Sequence, residues 1–141
     1  MTTQSLSKDE LAAKAQQARS QSIATYSDYR VGAALQTVSG EVITAGNIES
    51  STFGLTLCAE RVAMFSALAD GHRKFSAIAV ATENGATPCG ACRQILWEFA
   101  GDIPVYLIND TNEVTELSMG EFFPHPFDSS KLPEKEHGHE E

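Results

Sequence analysis

Two short stretches carry side chains whose types and spacing suit metal chemistry: Cys58-Ala59-Glu60-Arg61 and Pro88-Cys89-Gly90-Ala91-Cys92-Arg93. Between them they hold all three cysteines of the 141-residue chain. An odd thiol count is a poor basis for a disulfide framework, whereas one CxxC with a third thiol points to metal or redox chemistry. On a helix Cys89 and Cys92 share a face and can hold one ion together, and Cys58 on another helix would close a three-sulfur set. Helix N-termini, where both stretches are expected, favour the thiolates that a metal needs. Three protein ligands leave the fourth tetrahedral position of zinc open to water, and the ion lowers the pKa of that water toward neutrality. A closed structural site needs a fourth ligand, for which His72 is a candidate in a polar turn; buried free thiols are the other alternative. Glu60 can shuttle protons if its carboxylate faces the metal, and is otherwise a carboxylate favoured by the helix dipole. Arg61 can hydrogen-bond thiolate sulfur, or lie on the surface.

Those residues need elements to hold them. Ser7 and Glu10 form a capping-box pattern, and Leu11, Ala15, Ala18 and Ile23 recur near helical spacing, which predicts a helix to about Thr25. Val31 to Thr37 and Val42 to Ala45 flank Ser39-Gly40 as a hairpin, and 47–56 reads as a loop. Leu57 to Ala69 is a helix with Val62, Phe65 and Leu68 on one face and Gly71 as its stop. Phe75 to Ala81 is a strand covered on both sides, and Glu83 to Pro88 a loop. Ala91 to Ala100 is a helix with Trp97 and Phe99 expected in the core. Val105 to Ile108 and Val114 to Leu117 are strands, and Met119 to Phe123 a short helix. This order gives an α/β layered sheet with helices on its faces. The polar segment 128–141, with His137 and His139, reads as a flexible tail after a single domain, 1–127.

Composition narrows the function. Net charge is −9, from 10 basic and 19 acidic residues. A protein that grips nucleic-acid phosphates normally carries basic surface, so polymeric nucleic acid is disfavoured and a nearly uncharged small molecule suits this field better. No apolar run is long enough to span a bilayer and the N-terminus has no secretory h-region, so the cytoplasm is the expected compartment and no membrane partner is expected.

Over residues 26–127 the chain resembles the small homotetrameric zinc-dependent cytidine deaminases. The matching stretches are Tyr26-Ser27, Val31-Gly32-Ala33-Ala34-Leu35, Asn47-Ile48-Glu49, Cys58-Ala59-Glu60-Arg61 and Pro88-Cys89-Gly90-Ala91-Cys92-Arg93-Gln94. The resemblance implies a three-layer α-β-α fold with a mixed central sheet of about five strands. It implies one zinc ion per subunit on Cys58, Cys89 and Cys92, with Glu60 as catalytic acid/base and Arg61 tuning the thiolates. Tyr29, Asn47, Glu49 and Ala59 fall at substrate-contacting positions, Asn47 and Glu49 as the pair that bonds the ribose 3′-hydroxyl. Phe127 matches an aromatic that stacks on the base from a neighbouring subunit, so a homotetramer is implied. The reaction implied is attack of activated water on C4 of cytosine, giving the uracil nucleoside and ammonia in pyrimidine salvage.

The chain departs from the family pattern at Tyr29, where Phe is usual, at Ser51 for a small apolar residue, and at Phe53 for Tyr. Alternatives follow: a same-fold deaminase of a modified cytidine or cytosine-nucleoside antibiotic (a blasticidin-S-deaminase-like enzyme), a polynucleotide-editing deaminase, or a zinc-stabilised interaction module. Asn47-Ile48-Glu49 favours the cytidine enzyme over the antibiotic one, although loop capping and a solvated charge are the plain alternative for Asn47 and Glu49, and simple packing for Phe127 and Tyr29.

Overall fold

The structure, a computed structural model, describes residues 5–133. His137, His139 and the rest of the expected tail from 134 onward lie outside the described residues. Helix α1 (Lys8–Ala18) starts at the expected capping box: Glu10 N–H donates to Ser7 Oγ (3.2 Å) and Ser7 N–H donates to Glu10 Oε1 (3.0 Å). It ends at Ala18 and not near Thr25, with a single 3-10 turn (Arg19–Gln21) after it. Tertiary bonds end it: Ser22 Oγ donates to Asn47 Oδ1, and Ile23 N–H donates to Asn47 O (2.8 Å). Ile23 is half exposed as a result.

The strands β1 (Gly32–Thr37), β2 (Val42–Gly46), β3 (Phe75–Ala81), β4 (Pro104–Ile108) and β5 (Val114–Ser118) form one mixed sheet in the order β2-β1-β3-β4-β5. β1 is antiparallel to β2 and β3, β3 is parallel to β4, and β4 is antiparallel to β5. The parallel pair requires a crossover, supplied by α3 (Gly90–Ala100). Helix α2 (Ala59–Ala69) precedes β3, and the short α4 (Met119–Phe122) follows β5.

Alternation along the strands divides the interior in two. Ala34, Ala77, Ala79 and Ala81 face α1, meeting Leu11, Ala12 and Ala15. Leu35, Ile78, Val80, Val105 and Leu107 face the other way, with Met64 of α2 and Leu96 of α3. The result is the expected three-layer α-β-α arrangement.

The helices turn differently from the sequence reading at two places. Helix α2 buries Ala59, Glu60, Ala63, Met64 and Ala67, leaving Phe65 exposed and Val62 and Leu68 only partly covered. Small residues at helical spacing let α2 lie close on the sheet, and the bulkier stripe was the misleading one. In α3, Phe99 is exposed, while Trp97 packs edge-on to Phe123 and donates from Nε1 to Asp128 Oδ2 (3.3 Å).

Candidate active site

Two helix starts face one another at the site. Cys58 is the N-cap of α2 and Cys89 the N-cap of α3. Cys92 follows in the first turn of α3 and is fully buried, Cys58 is half-buried and Cys89 exposed. The Cys58 and Cys89 sulfurs lie 3.7 Å apart, those of Cys89 and Cys92 3.4 Å, and all three within 4.8 Å of one another. Two sulfurs each about 2.3 Å from a tetrahedral zinc sit about 3.8 Å apart, so this cluster fits such an ion. No other group of three His, Cys, Asp or Glu side chains converges in this way among the described residues.

The field around Cys58 favours its thiolate. The Cys92 thiol hydrogen-bonds toward Cys58 and holds it down to about 5, against its burial, while Arg61 donates from Nη2 to Cys58 Sγ (3.6 Å). Cys92, as the proton-holding partner in a buried position, is pushed up. Glu60, in the first turn of α2, is 4 % exposed. Burial pushes its carboxyl up to about 7, and the nearby Cys58 charge adds to this. A carboxyl poised near neutrality can both take and give a proton.

A cleft of about 250 Å³ opens above this cluster. Cys58, Cys89 and Glu60 form one end; Ser27, Tyr29, Asn47 and Glu49 line the wall contributed by the N-terminal loop and the segment after β2; Val31, Val80 and Thr82 belong to the sheet side. Asn47 is committed on several sides: Oδ1 accepts from Val31 N–H (3.0 Å) and Ser22 Oγ, and Nδ2 donates to Tyr29 O (3.0 Å). Glu49 accepts from Tyr26 N–H (2.9 Å), Ser27 N–H (3.0 Å) and Ser27 Oγ. Ser27 chiefly holds the Glu49 carboxyl below its ordinary range, so it is an anion presented to the cleft. Among the described residues no Lys or Arg lines this cleft.

Of the residues singled out from sequence, Cys58, Cys89, Glu60, Tyr29, Asn47 and Glu49 converge on the cleft, Cys92 lies directly behind Cys89, and Arg61 sits on the Cys58 sulfur. Ala59 is fully buried among core residues, outside the lining. Phe127 is 53 % exposed and away from its own chain's cleft, its carbonyl accepting from Gln94 Nε2 (2.7 Å). His72 pairs with Glu41 (3.0 Å) and takes no part in the sulfur cluster.

Sequence reasoning missed the loop after β3. Thr82, Ala86 and Thr87 line the cleft, and Arg93, left without a role, bolts that loop down. Its guanidinium donates to Pro88 O (2.7 Å), Thr87 Oγ1 (2.9 Å) and Phe122 O (3.2 Å) and lies over the Phe122 ring. The available signal was positional: in open α/β sheets ligands bind beyond the carboxyl ends of strands, and this loop leaves the carboxyl end of β3.

Three thiols on facing helix starts, a buried carboxyl near neutrality and a small anionic cleft define a metal-dependent enzyme site. A family model described as the cytidine and deoxycytidylate deaminase zinc-binding region matches residues 6–107. The cytidine deaminase of Sporosarcina psychrophila is 42% identical over 127 residues, spanning 88% of this chain and 93% of that protein. The crystal structure of cytidine deaminase from Burkholderia pseudomallei superposes with a TM-score of 0.83 at 42% identity, covering 86% of this chain and all of that one. The blasticidin-S deaminase of Bacillus cereus is more distant, 31% identical over 68% of this chain and 75% of its own length. The chain belongs to the cytidine and deoxycytidylate deaminase zinc-binding family, and zinc is its cofactor. Among the described residues no helix is long and apolar enough to cross a membrane.

Proposed function

We propose that the chain is a zinc-dependent hydrolytic deaminase converting cytidine and deoxycytidine to uridine and deoxyuridine with release of ammonia. The observation that carries this reading is the Glu60 carboxyl, buried and near neutrality, at the end of a small cleft beside three clustered thiols. Cys58, Cys89 and Cys92 would hold the ion, and zinc bound there supplies the Lewis acidity that makes water nucleophilic near neutral pH. Glu60 accepts a proton from that water and delivers it to N3 of the cytosine ring while the water oxygen bonds to C4. Glu60 then takes the proton of the new C4 hydroxyl and passes it to the amino group, so that the C4–N bond breaks, ammonia leaves and C4 becomes a carbonyl. Arg61, donating to Cys58, draws electron density off the sulfur and offsets thiolate donation to the metal.

Glu49 and Asn47 bind the sugar, Glu49 as the acceptor for a hydroxyl and Asn47 by fixing the wall around it. The cleft favours a nucleoside over a nucleotide, since a phosphate would face Glu49 with no cation among the described lining residues to balance it. Its volume, below the roughly 300–1,000 Å³ of drug-sized sites, favours a compact substrate over an extended antibiotic. Exposed Phe127 and the exposed apolar side chains Ile23, Tyr26, Ile48, Phe53 and Leu55 support assembly with further copies, a homotetramer in which Phe127 completes a neighbour's cleft. Light scattering that finds an active monomer would end that part of the reading. The reduced thiol cluster fits the cytoplasm.

The test is ammonia release from zinc-loaded protein supplied with cytidine, deoxycytidine, deoxycytidine monophosphate, free cytosine and a blasticidin-type nucleoside, with Glu60→Ala as control. Turnover of the two plain nucleosides, far above the others and absent in the variant, is the expected result. Preference for the monophosphate or the antibiotic would overturn the substrate assignment.

A further inference from the structure

The Tyr29 hydroxyl has no part in the chemistry above, yet it is anchored. It donates to Asn84 Oδ1 (2.8 Å), and the Thr82 hydroxyl donates to the same oxygen (3.3 Å) while accepting from Ala86 N–H (2.9 Å). The other end of Tyr29 is fixed as well: its N–H donates to Ser27 Oγ (3.0 Å) and its carbonyl accepts from Asn47 Nδ2 (3.0 Å). One side chain therefore spans the wall carrying Asn47 and Glu49 and the loop that ends in Cys89. Gly85, at φ +70°, turns that loop directly after Asn84.

Resting on the cytidine deaminase reading, we infer that the Tyr29–Asn84 hydrogen bond is a clasp across the cleft and makes Tyr29 a specificity-determining residue that limits the size of substituent accepted on the base. The ring lines the cleft together with Val31, Val80 and Thr82. Untied, a tyrosine ring half-exposed at a cleft wall swings by rotamer change; tied at the hydroxyl, it holds the wall at fixed width. The thiol and Glu60 end takes C4 and N3 of the base, and the Asn47 and Glu49 end takes the sugar on N1. Of the ring atoms left between the two ends, C5 and C6 bear hydrogens that a substituent can replace. C6 adjoins the sugar-bearing N1, which leaves C5, beside the reacting C4, as the position at which the clasp is read.

The experiment compares kcat/KM for cytidine and its C5-methyl, C5-ethyl and C5-propyl derivatives on the zinc-loaded full chain. In the parent, kcat/KM falls with alkyl size. Tyr29→Phe and Asn84→Ala each flatten the fall, narrowing the ratio of cytidine to C5-propyl cytidine about three- to tenfold, the span expected for one hydrogen bond. The change resides in KM more than in kcat, because width governs entry and fit. The double variant does no more than either single one, and Asn84→Asp, which retains the acceptor, keeps the parent profile. Amide exchange at Ala86 quickens in Tyr29→Phe and Asn84→Ala, reporting the released loop independently of turnover. Parallel profiles in parent and variants, or effects that add independently, would overturn the clasp while leaving the deaminase reading in place. A parent that does not turn over cytidine overturns the deaminase reading itself and the specificity role with it.

Discussion

On one side of the sheet Ala34, Ala77, Ala79 and Ala81 meet the alanines of α1; on the other Leu35, Ile78, Val80 and Val105 meet α2 and α3. The alanine side brings backbones together. A Cβ on Gly32 would run into the Ala15 carbonyl oxygen and lie 2.6 Å from the Arg19 nitrogen. The cleft opens on the other side, where the N-termini of α2 and α3 converge. Rigidity and chemistry thus occupy opposite faces of the same strands, and Glu60 carries the cost of placing chemistry in an interior.

The sharpest way to separate the faces is to remove the chemistry alone. Glu60→Ala lowers kcat by about 10⁴-fold while zinc content and the thermal transition stay near parental values, since the proton path is lost and the fold is not. Gly32→Val attacks the other face. The backbone cannot yield there, so we expect a loss of about 4 kcal/mol or failure to fold, read from denaturant midpoints. Ile78→Val, on the facing side, removes one methylene and costs about 1 kcal/mol. Equal costs on the two sides would erase the distinction.

The buried carboxyl gives a pH-dependent version of the same contrast. Its folded pKa is raised from 4.5 to about 7, so the metal-free protein holds this stability below about pH 4.5 and loses it as pH rises through 7. At pH 8 the metal-free Glu60→Gln protein should be more stable than the parent by about 3 kcal/mol, a gap that closes toward pH 5. Urea midpoints across that range measure it, and a gap that widens on acidification would contradict the burial argument.

The smallest expected effect concerns Arg93. Arg93→Ala should hasten zinc loss to a chelator about tenfold, because the turn before Cys89 is no longer held through Pro88 and Thr87. An unchanged loss rate with a lowered thermal midpoint would reduce Arg93 to a packing residue.

The thiols were legible in the sequence because cysteine is rare in it and their spacing constrains them, Glu60 because it stands two residues from one of them, and the strands because β3 and β4 are nearly all apolar. What stayed hidden depended on tertiary contacts. Nothing local marks Arg19–Gln21 as the end of α1, since Asn47, far along the chain, supplies the bonds that stop it. Phe65 outweighs Ala63 on any hydropathy scale, yet the alanine is buried, because the distance from α2 to the sheet decides which residue fits. Thr82, Asn84 and Thr87 read as ordinary turn residues until the loop is folded over the cleft.

The sulfur cluster has a consequence for the chain as a polymer. Cys58 and Cys89 stand 31 residues apart, and the interval contains α2 and the central strand β3. An ion shared by these thiols closes a loop around the middle of the sheet, and closure of a loop of that size removes roughly 3–4 kcal/mol of freedom from the unfolded chain, by analogy with a disulfide. The same ion then bears on the molecule's lifetime: with it, separating the starts of α2 and α3 requires breaking a metal–sulfur bond, and without it the loop that contains β3 is held by its ladders to β1 and β4 and by packing.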